Sequence, residues 1–275
     1  MKKFYFLNGK IVSSDKAQIP LRSLVVMRGY GVFDSLRSYN GKLFHFTDHY
    51  KRFKRSATLF GLSLRYSQAE VEKILNQLFK KNKCIDAHIR LMLLGGETTD
   101  ALTSADPIFA IMIEGVYTLP KKYYTHGVKV ITCEHQREWS QAKSINYLSA
   151  IRIQKQRQRA GALEIVYHHQ GNILEASTSN FWMVKDGVLI TAKDNVLHGI
   201  TRAMVKRFAK ELGLRVIERE VKFSELATAD EAFLSATYKR AVPVIKVDKQ
   251  IIGNGKVGPV TKQLMRVIDE YIESY

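Results

Sequence analysis

Ala142-Lys143-Ser144-Ile145-Asn146-Tyr147-Leu148 places one lysine just ahead of an apolar run. The spacing beyond it predicts a helix over about 146–160, with Lys143 entering its apolar start. A lysine desolvated there gives up part of its charge, as an imine-forming nucleophile must. Most lysines at such a place are simply solvated, so the segment gains meaning only beside three others. In Gly171-Asn172-Ile173-Leu174-Glu175-Ala176-Ser177-Thr178-Ser179-Asn180-Phe181, Glu175 follows an apolar strand and precedes small hydroxyl residues. A half-buried carboxylate of that kind suits a basic ring nitrogen: it keeps the nitrogen protonated and makes the ring a stronger electron sink. A surface Glu at a strand end reads the same way. Leu197-His198-Gly199-Ile200-Thr201-Arg202 opens a helix predicted over 201–212. Its backbone N–H groups and positive end form a phosphate cradle to which Thr201 adds a hydroxyl, although an ordinary Thr cap fits too. Asp230-Glu231-Ala232-Phe233-Leu234-Ser235-Ala236-Thr237 reads as a buried strand whose terminal hydroxyls point at the same anion or merely end the strand.

Composition sets the frame for these segments. With 275 residues, 45% apolar and 25% charged, the chain has material for two modest domains or one large one. Cys84 and Cys133 are too few for a disulfide framework and lack the spacing of a metal or redox pair, so the cytoplasm is the expected compartment. The basic start at Met1-Lys2-Lys3 leads into an apolar run too short for a signal peptide or a membrane span. A net charge of +17 and a pI near 9.8 raise an alternative, a basic nucleic-acid-binding protein without catalysis. That alternative accounts for the charge and for none of the four segments, and no zinc finger, RRM core or helix-turn-helix signature accompanies it. The densest basic stretch, 152–159, alternates with Gln as a solvated helix face does. The same field attracts phosphates and carboxylates, so charge alone decides nothing.

Along the chain, Asn8-Gly9 and Asn40-Gly41 predict hairpins over 4–12 and 32–46. Thr47 or Asp48 is expected to cap a helix ended by Gly61, and Ser67 with Glu70 forms a capping box for a second helix. Strands follow at 88–94 and 107–114. Leu119-Pro120-Lys121-Lys122 breaks the pattern, which places a small α/β domain at 1–117, a linker at 118–127 and a larger α/β domain at 128–275. The second domain is read as strands at 128–132, 164–167, 181–184, 188–191, 231–236 and 242–247, with a last amphipathic helix after Pro259. His45 and His49 lack a third ligand, so no metal site is expected. His168-His169 falls in a hairpin turn, and neither Gly29-Tyr30-Gly31 nor Gly253-Asn254-Gly255 has the context of a nucleotide fingerprint.

Taken in order, Phe6-Leu7-Asn8-Gly9, Arg28-Gly29-Tyr30-Gly31-Val32-Phe33-Asp34, His49-Tyr50-Lys51-Arg52-Phe53 with Ser56-Ala57, Lys143, Glu175 with Ser179-Asn180-Phe181, Gly199-Ile200-Thr201-Arg202, the run from Ala229 through Asp230 and Glu231 to Thr237, and Gly258-Pro259 resemble the class IV aminotransferases. That group includes branched-chain and D-amino-acid aminotransferases and 4-amino-4-deoxychorismate lyase. The resemblance implies two α/β (α+β) domains with a pyridoxal 5'-phosphate site between them, usually in a homodimer. It implies that Lys143 holds the cofactor as a Schiff base and carries the proton, and that Glu175 pairs with the pyridine nitrogen. Arg52, Ile200, Thr201, Ala236 and Thr237 would hold the phosphate end, Leu197 would pack on the ring and Tyr147 would stand near the cofactor oxygen. Phe33, Ser35, Arg90 and Arg28 are the substrate-side positions. The implied substrate is an amino-bearing carboxylate, with transamination or pyruvate elimination both open. Arg90 matches an arginine of branched-chain enzymes, Met92-Leu93-Leu94 lacks the basic residue of D-amino-acid enzymes, and Ser35 supplies a hydroxyl as the lyase does.

Overall fold

The computed structural model describes residues 3–103 and 106–275; Met1 and Lys2 of the basic start and Ser104 and Ala105 of the loop after 94 lie outside the described residues. Asn8 and Gly9, at φ 41° and 87°, turn β1 (Phe4–Leu7) into β2 (Lys10–Ser13), as an Asn-Gly pair should. A short helix, α1 (Leu24–Arg28), leads to β3 (Gly31–Tyr39), and Asn40-Gly41 turns it into β4 (Lys42–Leu43). The second hairpin is shorter than its sequence suggests, because His45 takes the left-handed conformation and starts α2 (Phe46–Leu59) at once. The helix boundary thus falls ahead of Thr47 and Asp48, and Asp48 serves instead as acceptor for His45 Nδ1 at 3.0 Å. The capping box of Ser67 and Glu70 opens α3 (Gln68–Asn82) as read, and β5 (His88–Leu94) and β6 (Ile108–Glu114) follow.

These strands form a six-stranded antiparallel sheet in the order β2-β1-β6-β5-β3-β4. Side chains alternate between its faces. Val32 and Leu36 of β3, Ile89, Leu91 and Leu93 of β5 and Ile111 of β6 pack with Phe53 of α2 and Leu75 of α3 in one core. The other face of β3 carries Phe33, Ser35 and Arg37, paired across the ladder with Met92, Arg90 and His88.

After α4 (Lys121–Thr125) come β7 (Val128–Glu134), α5 (Leu148–Arg152), α6 (Gln154–Arg159), β8 (Glu164–His169), β9 (Asn172–Ala176), β10 (Asn180–Lys185), β11 (Val188–Thr191) and α7 (Ile200–Glu211). The chain closes with β12 (Val216–Glu218), β13 (Val221–Lys222), β14 (Glu231–Ala236), β15 (Arg240–Val247), β16 (Gln250–Ile251) and α8 (Pro259–Ser274). The sheet runs β12-β11-β10-β14-β15-β7-β8-β9-β13, and an added pairing of Asn180 with Glu175 joins β10 to β9. Six strands therefore close on themselves around Val130, Val166, Ile173, Phe181, Leu234 and Val242. The helix expected over 146–160 is broken at Ile153 (φ −102°, ψ 10°), since Leu148 and Ile151 stay exposed and provide no continuous apolar stripe.

The chain divides into two compact units, Met1–Tyr117 with Ala142–Asn146, and Thr118–Gln141 with Tyr147–Tyr275. The stretch read as a linker contains α4 and falls in the second unit. The Lys143 segment is the larger departure: it is no helix start but an extended stretch of the first unit. Phe33 N–H donates to Lys143 O at 2.9 Å, Ile145 N–H donates to Gly31 O at 3.1 Å, and Ser144 bridges to Val32. Gly31 permits this approach, for a Cβ there would meet Leu93 O, Leu94 Cδ2 and Ile145 Cδ1 at 3.1–3.2 Å.

Candidate active site

In the first unit, the buried carboxylate of Asp34 organises the site. Arg52 grips it with Nε at 2.7 Å and Nη2 at 2.8 Å, His49 Nδ1 stands 2.7 Å away, and the Ser35 N–H donates at 2.7 Å. Burial favours the neutral acid, but the Arg52 charge and the hydrogen bonds from His49 and Arg52 outweigh it and hold Asp34 well below the usual carboxylate range. The fork leaves Arg52 Nη1 with no acceptor among the described residues, so one end of a fixed guanidinium is available to an anion. His49, read as a poor metal candidate, is instead a second support of Asp34; burial keeps its pKa below the ordinary value. Lys143 is half-buried, with its backbone N–H on Ser56 Oγ at 3.0 Å and its Nζ 4.7 Å from the Phe33 ring centroid. Arg90 is exposed, and its guanidinium carbon lies 5.9 Å over the same ring. Ser35 is buried beside Arg90 in register. Arg28 ends α1 on the surface, with Nη1 on Met27 O at 3.2 Å.

In the second unit, Glu175 is buried near the end of β9. One oxygen is bound by Arg137 Nη2 and the other accepts the Leu197 N–H at 3.1 Å. Arg137, the partner of Glu175, is a candidate that the sequence reading passes over. Burial works against its charge, and the Glu175 carboxylate more than offsets this, raising its pKa. Asn180 Nδ2 donates to Leu197 O at 2.8 Å, which fixes the turn before α7 from the other side. Gly199 caps α7 without a side chain, so the cap is Gly199 rather than Thr201, and the N–H groups of Ile200, Thr201 and Arg202 meet no acceptor among the described residues. A Cβ on Gly199 would sit 2.2 Å from Asn180 Oδ1. Arg202 turns away from this end, binding Glu218 Oε1 at 2.6 Å and Ala192 O at 2.8 Å.

Thr237 opens the turn after Ala236 of β14. That turn is tied down by Lys239, whose Nζ reaches Glu164 Oε2 and Thr178 Oγ1, both at 2.5 Å, and Ser179 Oγ at 3.0 Å. Tyr147 caps α5, half-buried against the cluster of Ile131, Ala150, Ile165 and Tyr167. His168, placed in a turn by its sequence, is half-buried at the end of β8, its ring 5.2 Å from Phe223.

These groups fit pyridoxal phosphate. Taken unit by unit, the first offers a half-buried amine that suits its aldehyde and a spare guanidinium nitrogen that suits an anion, and the second offers a buried carboxylate held by Arg137 that suits a protonated ring nitrogen and an uncapped helix start that suits a phosphate. Comparison with known proteins agrees. The profile described as Amino-transferase class IV matches residues 31–247. D-alanine aminotransferase of Staphylococcus aureus (strain N315) is 34% identical over 98% of both chains. The Escherichia coli branched-chain amino acid aminotransferase superposes with a TM-score of 0.92 at 26% identity, over 99% of this chain and 95% of that one. The branched-chain amino acid aminotransferase of T.th., solved with pyridoxamine 5'-phosphate, gives 0.91 at 25% identity, over 100% and 95%. The chain belongs to the class IV aminotransferases. It is accordingly a pyridoxal-phosphate-dependent enzyme acting on small amino-bearing substrates, and the nucleic-acid reading finds no support among these relatives. No helix among the described residues is long and apolar enough to cross a membrane.

Proposed function

We propose that the enzyme transfers the amino group of a small D-amino acid such as D-alanine to a 2-oxo acid. The observation that carries the reading is the pair of cations over Phe33: an amine, Lys143 Nζ, and a guanidinium, Arg90, share one aromatic ring, with a nitrogen-handling group beside a carboxylate-binding one. The likeness to D-alanine aminotransferases over almost the full length supports the choice of donor. It also outweighs the absence of a basic residue at Met92-Leu93-Leu94, because Arg90 on the same strand can take that task.

When bound, pyridoxal phosphate supplies a carbonyl for amines and a ring that withdraws electrons from the substrate carbon. Lys143 Nζ would hold the cofactor through its amine and would serve as the base that moves the proton at the substrate carbon. Glu175, held between Arg137 and the Leu197 N–H, would keep a proton on the ring nitrogen. Leu197 would pack against the ring, and Tyr147 would stand near a cofactor oxygen. The Ile200 and Thr201 N–H groups and the turn of Ala236 and Thr237 would hold the phosphate, and Arg52 would offer its free Nη1 to an anion. Phe33 and Ser35 line the substrate side, with Arg28 as a further carboxylate contact, and the protein works as a cytoplasmic homodimer.

Side-by-side assays of the purified holoenzyme test this. D-alanine with 2-oxoglutarate should yield pyruvate, and L-leucine should be a far poorer donor. Preference for L-leucine would replace this reading by a branched-chain one, and release of 4-aminobenzoate from aminodeoxychorismate without oxo-acid exchange would replace it by the lyase.

A further inference from the structure

Glu164 opens β8 in the second unit with its carboxylate buried. Its Oε1 accepts the Thr178 N–H at 2.5 Å and the Thr178 hydroxyl at 2.8 Å, and its Oε2 accepts the Ser179 hydroxyl at 2.8 Å and Lys239 Nζ at 2.5 Å. The same two hydroxyls accept from the ammonium, Thr178 Oγ1 at 2.5 Å and Ser179 Oγ at 3.0 Å, so the three N–H groups of Lys239 are all used. Burial works against the carboxylate's charge, but the Lys239 ammonium and these hydrogen bonds outweigh it and hold the Glu164 pKa below its ordinary value.

Two turns meet at this clamp. Residues 177–179 lead β9 into β10 between Glu175 and Asn180, which pair across the ladder, and the Ala176 N–H on Ser179 O at 2.8 Å closes the turn. Residues 237–239 form the tip between β14 and β15, whose ends Ala236 and Arg240 pair. That tip is closed by the Lys239 N–H on Ala236 O at 3.2 Å and braced by the Tyr124 hydroxyl, which donates to Lys239 O at 3.1 Å. Hydrogen bonds between neutral groups hold less strongly than those to a charged one, so the ammonium is the firmer tie.

We propose that Lys239 is a positioning residue for the cofactor: anchored on Glu164, it fixes the tip of Ala236 and Thr237 against the turn that follows Glu175 and so presents that tip to the phosphate. The inference rests on the assignment of Ala236 and Thr237 to the phosphate end. With its protons all engaged, Lys239 acts through the turn and not by contact with the anion.

Equilibrium dialysis of the holoenzyme against graded pyridoxal phosphate, or against pyridoxal, which lacks the phosphate, gives the ratio of the two affinities from the bound cofactor's absorbance. Lys239→Met should lower that ratio about five- to tenfold, the worth of one misaligned hydrogen bond, by weakening pyridoxal phosphate alone. Lys239→Arg should keep most of it. A purely architectural ion pair would lower Tm and leave the ratio at its native value. Removing one partner of a buried pair endangers folding, so the double variant Glu164→Gln/Lys239→Met, which leaves no buried charge there, should show the same fall. A native ratio in the Met variants overturns the proposal. Thr237→Val tells its failure from that of the phosphate assignment. A lowered ratio there beside a native one in the Lys239 variants refutes Lys239 alone, whereas an unchanged ratio in Thr237→Val removes the tip from the phosphate site and the proposal with it.

Discussion

Four donor groups from three residues converge on Asp34: the Ser35 N–H, His49 Nδ1, and Nε and Nη2 of Arg52. Asp34→Asn would leave the Arg52 guanidinium buried without its counter-charge, so chemical denaturation should show a loss of about 3–5 kcal/mol. A loss below about 1 kcal/mol, the level of an exposed pair, would contradict the arrangement. The pH dependence follows from the same neighbourhood. Burial lowers the pKa of His49, and burial with Arg37 and Arg90 lowers that of His88 to about 4. Below the ordinary value of 6.5 the unfolded chain takes up protons that the fold refuses, so stability must fall as pH falls, with the His88 part levelling off near pH 4. Thermal melts from about pH 7.5 down to about 4.5 should show a declining Tm, made shallower by His88→Gln; a Tm rising toward acid would refute the assignment. At this scale the sequence offered Lys143 and Glu175 as candidates from their motifs and Arg52 through the family resemblance, but Arg137 was illegible. It reaches Glu175 across 38 positions, through a loop with no periodicity, and only the pairing of β7, β8 and β9 brings the two together.

Among elements, α7 is set by a steric lock. A Cβ on Gly199 would crowd Asn180 Oδ1, so Gly199→Ala should cost about 1–3 kcal/mol through forced displacement. It should also weaken cofactor retention in dialysis, whereas Ala203→Gly in the same helix should cost only about 1 kcal/mol and leave retention intact. The start of α8 is held otherwise: Glu231 accepts the Val260 N–H at 2.9 Å and the Thr261 N–H at 2.8 Å, a carboxylate reaching from β14 to a helix whose own cap, Gly258, offers no side chain. Elements with local signals were legible, as with the capping box at Ser67 and the Asn-Gly turn at Asn8. The extended Lys143 stretch was not, because its pairing with the start of β3 is contributed by residues more than a hundred positions away. Strands of two or three residues, such as β12, β13 and β16, are too short to show a period.

For the whole molecule, the first division falls after Tyr117, but the chain sends Ala142–Asn146 back to the first unit, a return that composition cannot reveal. The net charge of +17 should act on anionic substrates by long-range attraction. Raising ionic strength from about 0.02 to 0.3 M should therefore lower kcat/KM for a 2-oxo acid through KM, since screening shortens the reach of the field. Whatever the substrate, catalysis requires one lysine to carry the cofactor. Borohydride reduction of the holoenzyme followed by peptide mass spectrometry measures this: the cofactor's mass should be fixed to the peptide containing Lys143 and absent from the same peptide in Lys143→Ala. Labelling of a different lysine, or of none while the cofactor is bound, would contradict the assignment on which the site is built.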